Sequence, residues 1–138
     1  MKSNYKAMVL SCMDPRFQPI VYNFLKKKKL TGKYSSFTIA GASLGVTNKK
    51  FKKWHKTFWD NFEASVKLHN IKKLIVINHQ DCGAAKIING KKEFNKENEK
   101  KIHIESFIKL KKIFKNKYPS LDFEFKFIEL NKRIKRFK

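Results

Sequence analysis

The sequence predicts an α/β fold, an open and mainly parallel four-stranded sheet of order 2-1-3-4 with helices on both faces. Three observations predict it. The runs Ala7-Met8-Val9-Leu10 and Leu74-Ile75-Val76-Ile77 are apolar without alternation, as strands covered on both faces must be. Between the strand-like runs lie stretches whose apolar residues recur at three- and four-residue steps. The resulting alternation of strand and helix, joined by right-handed crossovers, closes into a parallel sheet.

The first strand, residues 7–10, leads into a helix over about 17–28, where Ile20, Val21, Phe24 and Leu25 share a face. Lys26 to Lys29 stand at its carboxyl end, where cations offset the helix dipole and need no ligand to explain them. Residues 37–40 form the second strand. A long helix follows over 51–69, with Phe51, Trp54, Phe58, Phe62 and Val66 in one stripe. That stripe reads as a face for the core or for a subunit contact. The third strand is 74–77. A third helix over about 98–118 aligns Ile102, Phe107, Leu110 and Phe114, and Pro119 closes it. Residues 123–128 are the fourth strand.

In the order 2-1-3-4 the chain changes direction between strands 1 and 3. Ligands of open sheets bind beyond the carboxyl ends of the strands at such a point. Cys12 follows the first strand and His79 follows the third, so the topology brings them together.

With 138 residues there is room for one core, read here as a single domain over 1–131 followed by a basic tail over 132–138. A hydrophobic content of 41% and an aromatic content of 14% exclude a disordered chain. The 13 phenylalanines are a heavy apolar load for one small domain and predict a homodimer, with Phe51, Trp54 and Phe58 in the contact. No run approaches the ~20 apolar residues of a membrane span. The opening Met1-Lys2-Ser3-Asn4-Tyr5-Lys6 leads into no apolar signal region, so a cytoplasmic protein with reduced thiols is expected. The net charge of +22 comes almost wholly from lysine, since Arg16, Arg133 and Arg136 are the only arginines. Readers of nucleic acid favour arginine for bidentate contacts, and a basic pI without a motif is no interface. Nucleic acid is therefore not expected as a partner, although the field would draw small anions toward a cleft.

Both cysteines lie in polar turns just past strands, one in Ser11-Cys12-Met13-Asp14-Pro15-Arg16 and the other in Asn78-His79-Gln80-Asp81-Cys82-Gly83. Two thiolates and an imidazole suit zinc, and three protein ligands leave a fourth position open for chemistry. A disulfide, a pair of inert buried thiols and a cysteine–histidine nucleophile are the competing readings. The paired motifs Cys-x-Asp-x-Arg and His-x-x-Cys-Gly favour the metal.

On those residues the chain resembles the β-class carbonic anhydrases. The family's first motif stands here as Cys12, Asp14 and Arg16, the second as His79, Cys82 and Gly83, and its Ala-Gly turn as Ala40-Gly41-Ala42. The likeness runs from about residue 6 to 128. It departs in the residue before the histidine, usually glycine and here Asn78, and in the helices that usually precede the first cysteine motif.

The resemblance implies a zinc lyase in which Cys12, His79 and Cys82 hold the ion. Zinc-bound hydroxide would hydrate carbon dioxide reversibly to bicarbonate. Asp14 would orient the nucleophile, Arg16 would pin Asp14, and with that pair broken Asp14 would become an exchangeable fourth ligand. Gly41 and Gly83 would offer backbone N–H groups to the substrate. Two thiolates cancel the charge on the ion, so its water should be less acidic than in an all-histidine site, and activity should rise with pH. Asp81, between two ligands, is placed to support them. His55, His69 and His103 read as surface or core residues. The alternatives are a zinc hydrolase of a carbon dioxide analogue, such as a sulfur-bearing heterocumulene, and a basic zinc-binding module without catalysis.

Overall fold

The computed structural model describes residues 5–136. The start of the opening segment read for a signal, residues 1–4, and the last two residues of the basic tail, 137–138, lie outside the described residues.

Five strands form one sheet of order β2-β1-β3-β4-β5. β1 (Ala7–Cys12), β2 (Tyr34–Ile39), β3 (Lys73–His79) and β4 (Asp122–Ile128) are mutually parallel, in the predicted 2-1-3-4 arrangement. The register aligns Ser11 with Thr38 on one side and with Ile77 on the other, so the ends of β1 and β3 lie level at the switch point. All of β1 is buried, and so is β3 from Leu74 to His79, as their unbroken apolar sequences require.

The two faces of the sheet are covered unequally. Met8, Leu10, Leu74, Val76 and Phe125 meet α3 (Lys52–His69) and α5 (Lys96–Lys117) through Phe58, Phe62, Phe107, Leu110 and Phe114. Ala7, Val9, Ile75, Ile77 and Ile128 face the other way, onto Phe17, Val21 and Leu25 at and along α1 (Gln18–Lys27). This alternation gives neighbouring side chains at the end of β3 different surroundings, and the site depends on it.

The structure departs from the sequence reading in four places. Ser43–Thr47 and Gly83–Asn89 form short helices, α2 and α4, whose five and seven residues are too few to show a helical period. A fifth strand, β5 (Ile134–Arg136), lies within the segment read as a tail and pairs antiparallel with β4. Its turn is closed by Glu129 N–H to Arg133 O and Lys132 N–H to Glu129 O, and Lys135 pairs with Glu129 at 2.9 Å. Finally, Phe58 is fully buried in the core and is not part of any subunit contact. Phe51 and Trp54 do stack near the surface, with centroids 4.9 Å apart, and Trp54 is exposed.

On the α1 side, Glu124 of β4 joins Lys28 (2.7 Å) and Lys73 and so ties the end of α1 to the sheet. Burial would push the Glu124 carboxyl up, but hydrogen bonds from Lys28 and Lys73 outweigh it and draw it down to about 2. A lowered folded-state pKa means stability that is present above the ordinary carboxylate range and lost as pH falls toward 2. Glu124→Gln is therefore expected to cost about 1–2 kcal/mol at neutral pH, with solvent screening allowed for, and to flatten the acid limb of stability between pH ~4.5 and ~2. Urea unfolding at stepped pH checks this. An acid limb identical to wild type would remove the cluster from the account.

Candidate metal centre

Cys12 is the last residue of β1, His79 the last of β3, and Cys82 the cap of α4. All three are buried, and one ligand atom from each lies within 4.8 Å of the others. Both cysteines are free thiols, so the disulfide reading is set aside.

The histidine shows which atoms await a partner. Its Nδ1–H donates to Gln80 O at 2.8 Å, which leaves the lone pair on Nε2 facing the sulfurs. His79 Nε2 is buried without a hydrogen-bond partner, and a buried polar atom so placed costs stability unless something binds it. Because His79 points to the α1 side of the sheet, its ring stacks on Phe17, with centroids 4.1 Å apart and planes at 21°.

The sulfurs share protons unequally. The contact with Cys82, together with the Asp14 N–H and against the opposing effect of burial, brings the Cys12 thiol down to about 4. Cys82 moves up, because its proton is held in the contact with Cys12, and burial and the charge on Cys12 both oppose a second ionisation there. A cation between them removes that repulsion. The donor set of two thiolates and an imidazole with a free Nε2 thus fits a soft to borderline metal ion.

Asp14 and Arg16 form the expected pair. Arg16 Nη2 donates to Asp14 Oδ2 at 2.8 Å and Nε to Oδ1 at 3.1 Å, while the Arg16 backbone N–H caps Oδ1 at 2.9 Å. These bonds hold the Asp14 carboxyl below its usual range, ionised at neutral pH. Asp14 Oδ2 stands 3.8 Å from His79 Nε2, so the carboxylate borders the ligand cluster. Arg16 also reaches the second motif, donating to Asp81 Oδ2 and to Asp81 O, each at 3.0 Å. Asp81 adopts φ 61°, a left-handed conformation that an aspartate tolerates.

The two glycines differ. The Gly41 N–H points at Cys12 Sγ at 3.3 Å, so its partner is a ligand sulfur. Gly41 has φ +79°, and a Cβ there would lie 2.7 Å from the Ala84 side chain, which leaves no other residue for the turn. Gly83 opens α4 with nothing crowding its Cα.

Sequence reasoning missed Glu99 and assigned His103 no role in the site. Glu99 on α5 accepts the backbone N–H groups of Asp81 and Cys82, each at 2.9 Å, and His103 stands one turn further along at 3.1 Å. Asn78, the residue that replaces the usual glycine, bonds His103 Nδ1 at 2.8 Å and Ser43 Oγ at 2.7 Å. The capping-type signal of Glu97 and Glu99 in the first turn of a helix was available, but it reads as dipole compensation.

A family model described as "Putative carbonic anhydrase" matches residues 1–131. The chain belongs to this carbonic anhydrase family. Two uncharacterized proteins are similar in sequence: one from Rickettsia conorii, 35% identical over 115 residues, and one from Rickettsia bellii, 36% identical over 115 residues. Each alignment covers 83% of this chain, and the chain spans 62% and 70% of those proteins' own lengths. Among solved structures, a tetrameric β-carbonic anhydrase of Sordaria macrospora is similar with a TM-score of 0.69 at 12% identity, over 97% of this chain and 81% of that one. The β-carbonic anhydrase CafA of Aspergillus fumigatus is similar with a TM-score of 0.64 at 9% identity, over 98% of this chain and 76% of that one. The fold of this carbonic anhydrase family member is therefore the β-class fold. Among the described residues no helix is long and apolar enough to cross a membrane.

Proposed function

We propose that the protein is a zinc-dependent lyase that hydrates carbon dioxide reversibly to bicarbonate. The observation that carries this reading is the Asp14–Arg16 pair standing beside the Cys12, His79 and Cys82 cluster. A zinc held only for structure would have no use for an ionised carboxylate 3.8 Å from the ligand nitrogen. Zinc, when bound by Cys12, His79 and Cys82, supplies the Lewis acidity that makes water a nucleophile near neutral pH.

The chain's own residues do the rest. Asp14 accepts a hydrogen bond from the attacking oxygen and turns its lone pair toward the carbon. Arg16 keeps that carboxylate ionised and oriented by a forked, charge-assisted contact. Its second contact, to Asp81, supports the reading that the two motifs move as one unit. With its contact to Arg16 broken, Asp14 would be free to serve as an exchangeable fourth ligand and close the site. Gly41 serves the reaction through Cys12, and Gly83 is left to meet the substrate. A homodimer and a cytoplasmic setting belong to the same proposal. The stack of half-buried Phe51 on exposed Trp54 supports the first, and two cysteines kept for a metal rather than a disulfide fit the second.

The test is stopped-flow hydration of carbon dioxide by zinc-loaded protein between pH 6 and 9, on material sized by light scattering. The expected result is a dimer whose activity rises with pH. Zinc-loaded protein inactive at every pH would replace this reading with that of a binding module, and a monomer at micromolar concentration would remove the dimer.

A further inference from the structure

We propose that Glu99, braced by His103 and Asn78, is a positioning residue that fixes the turn carrying His79 and Cys82 in its metal-binding shape. The inference rests on the metal-binding part of the proposed function and adds residues that neither cysteine motif contains.

Glu99 is only 3% exposed and His103 is fully buried. A carboxylate in such a place needs several donors, and it has three. Oε1 accepts from Asp81 N–H, and Oε2 accepts from both Cys82 N–H and His103 Nε2–H. Burial pushes the Glu99 carboxyl up, but the bonds from His103, Cys82 and Asp81 outweigh it and the group stays charged.

The protons of the chain behind it can be placed one by one. Ser43 N–H donates to Asn78 Oδ1 at 3.1 Å, which fixes the orientation of the Asn78 amide. Its NH₂ then donates to Ser43 Oγ and to His103 Nδ1. His103 must therefore be neutral with its proton on Nε2, aimed at Glu99. Ser43 O–H passes to Ser106 Oγ at 2.7 Å, and Ser106 O–H to His103 O at 2.8 Å. Every donor has a destination.

The geometry gives this chain its purpose. Asn78 points to the α5 side of the sheet while its neighbour His79 points to the α1 side. Anchoring Asn78 therefore sets the twist at which His79 leaves β3. Glu99 holds the other end of the same turn at Asp81 and Cys82. One rigid helix, through residues four apart, thus grips both sides of the His-x-x-Cys segment.

Glu99→Gln keeps the size but has one carbonyl oxygen for three donors, so at least one backbone N–H is left facing an NH₂ group. Zinc affinity, read by chelator competition on the full chain, is expected to fall ~10–100-fold, as for other partners that orient metal ligands. The absorption spectrum of the cobalt-substituted protein is expected to shift with the altered ligand geometry. His103→Leu should lower zinc affinity less, and His103→Gln, which can bond both neighbours, should recover most of it. A brace serving the fold alone would lower the melting temperature and leave zinc affinity and the cobalt spectrum as in wild type, which would overturn the proposal. Should Glu99→Gln not fold by circular dichroism, His103→Leu decides by the same readout, with unchanged affinity overturning it. Wild-type protein that binds zinc but hydrates no carbon dioxide would sink the functional reading and leave this one standing. Wild-type protein that binds no zinc would sink both.

Discussion

Cys82→Ser is expected to strip most of the zinc from the protein, from about one ion per chain to a small fraction of that, while the fold survives. The thiolate is what binds, and a serine hydroxyl does not ionise near neutral pH, so the ion would be left with one thiolate and one imidazole. Folding should be spared because Cys82 occupies the cap position of α4, which serine favours. The Cys82 backbone N–H would keep its bond to Glu99. Metal content by elemental analysis and far-UV circular dichroism on the same sample check both halves. A fully zinc-loaded Cys82→Ser protein, or wild type purified metal-free under reducing conditions without chelators, would overturn the metal assignment.

Asp14→Asn is expected to keep its zinc and lose ~10²–10³ in hydration rate, the usual cost of one positioned electrostatic contact. Asparagine is nearly isosteric, so the ligand cluster should be undisturbed. Its amide, however, offers one acceptor where Arg16 now finds two charged oxygens, at 2.8 and 3.1 Å. Arg16 would retain Asp81, so the two motifs should stay joined while the carboxylate that faces His79 is gone. The measurement is stopped-flow hydration over pH 6–9 for both proteins, with zinc determined on the same samples. A zinc-loaded variant as active as wild type would remove Asp14 from the mechanism. The expected profile of the wild type rises with pH, and the lowered Asp14 carboxyl contributes nothing to that rise, being ionised throughout the range.

Both predictions use residues that sequence alone singled out, whereas the Glu99 inference does not, and the difference is physical. The four parallel strands and the two motifs that carry the candidate ligands were legible because each depends on residues close together in the chain. Uninterrupted apolar runs such as 74–77 mean a strand covered on both faces. A turn at the end of such a strand can present only what it carries, here His79 and Cys82. The switch point between β1 and β3 then follows from the order 2-1-3-4, one that is common in such sheets, and with it the meeting of Cys12 and His79.

The tertiary structure alone decided which distant groups orient those ligands. Helical periodicity in 98–118 shows which residues face the core, but not which turn a polar residue on that face will meet. Whether Glu99 caps Cys82 depends on the height at which α5 crosses the sheet, and β3–β4 register sets that height together with the loop before the helix. The same holds for Phe17 on His79, for Arg16 on Asp81 across 65 positions, and for the Gly41 N–H on Cys12. Exposure of Trp54, partial burial of Phe51 and full burial of Phe58 are a further case, since one stripe passes from the surface to the core. Sequence by itself therefore determined the candidate metal ligands and the sheet that gathers them, because local pattern encodes the motifs and the strands. Only the packed structure decided what holds those ligands in place, because a hydrogen bond demands a few tenths of an ångström and periodicity locates a side chain only to within a helical face.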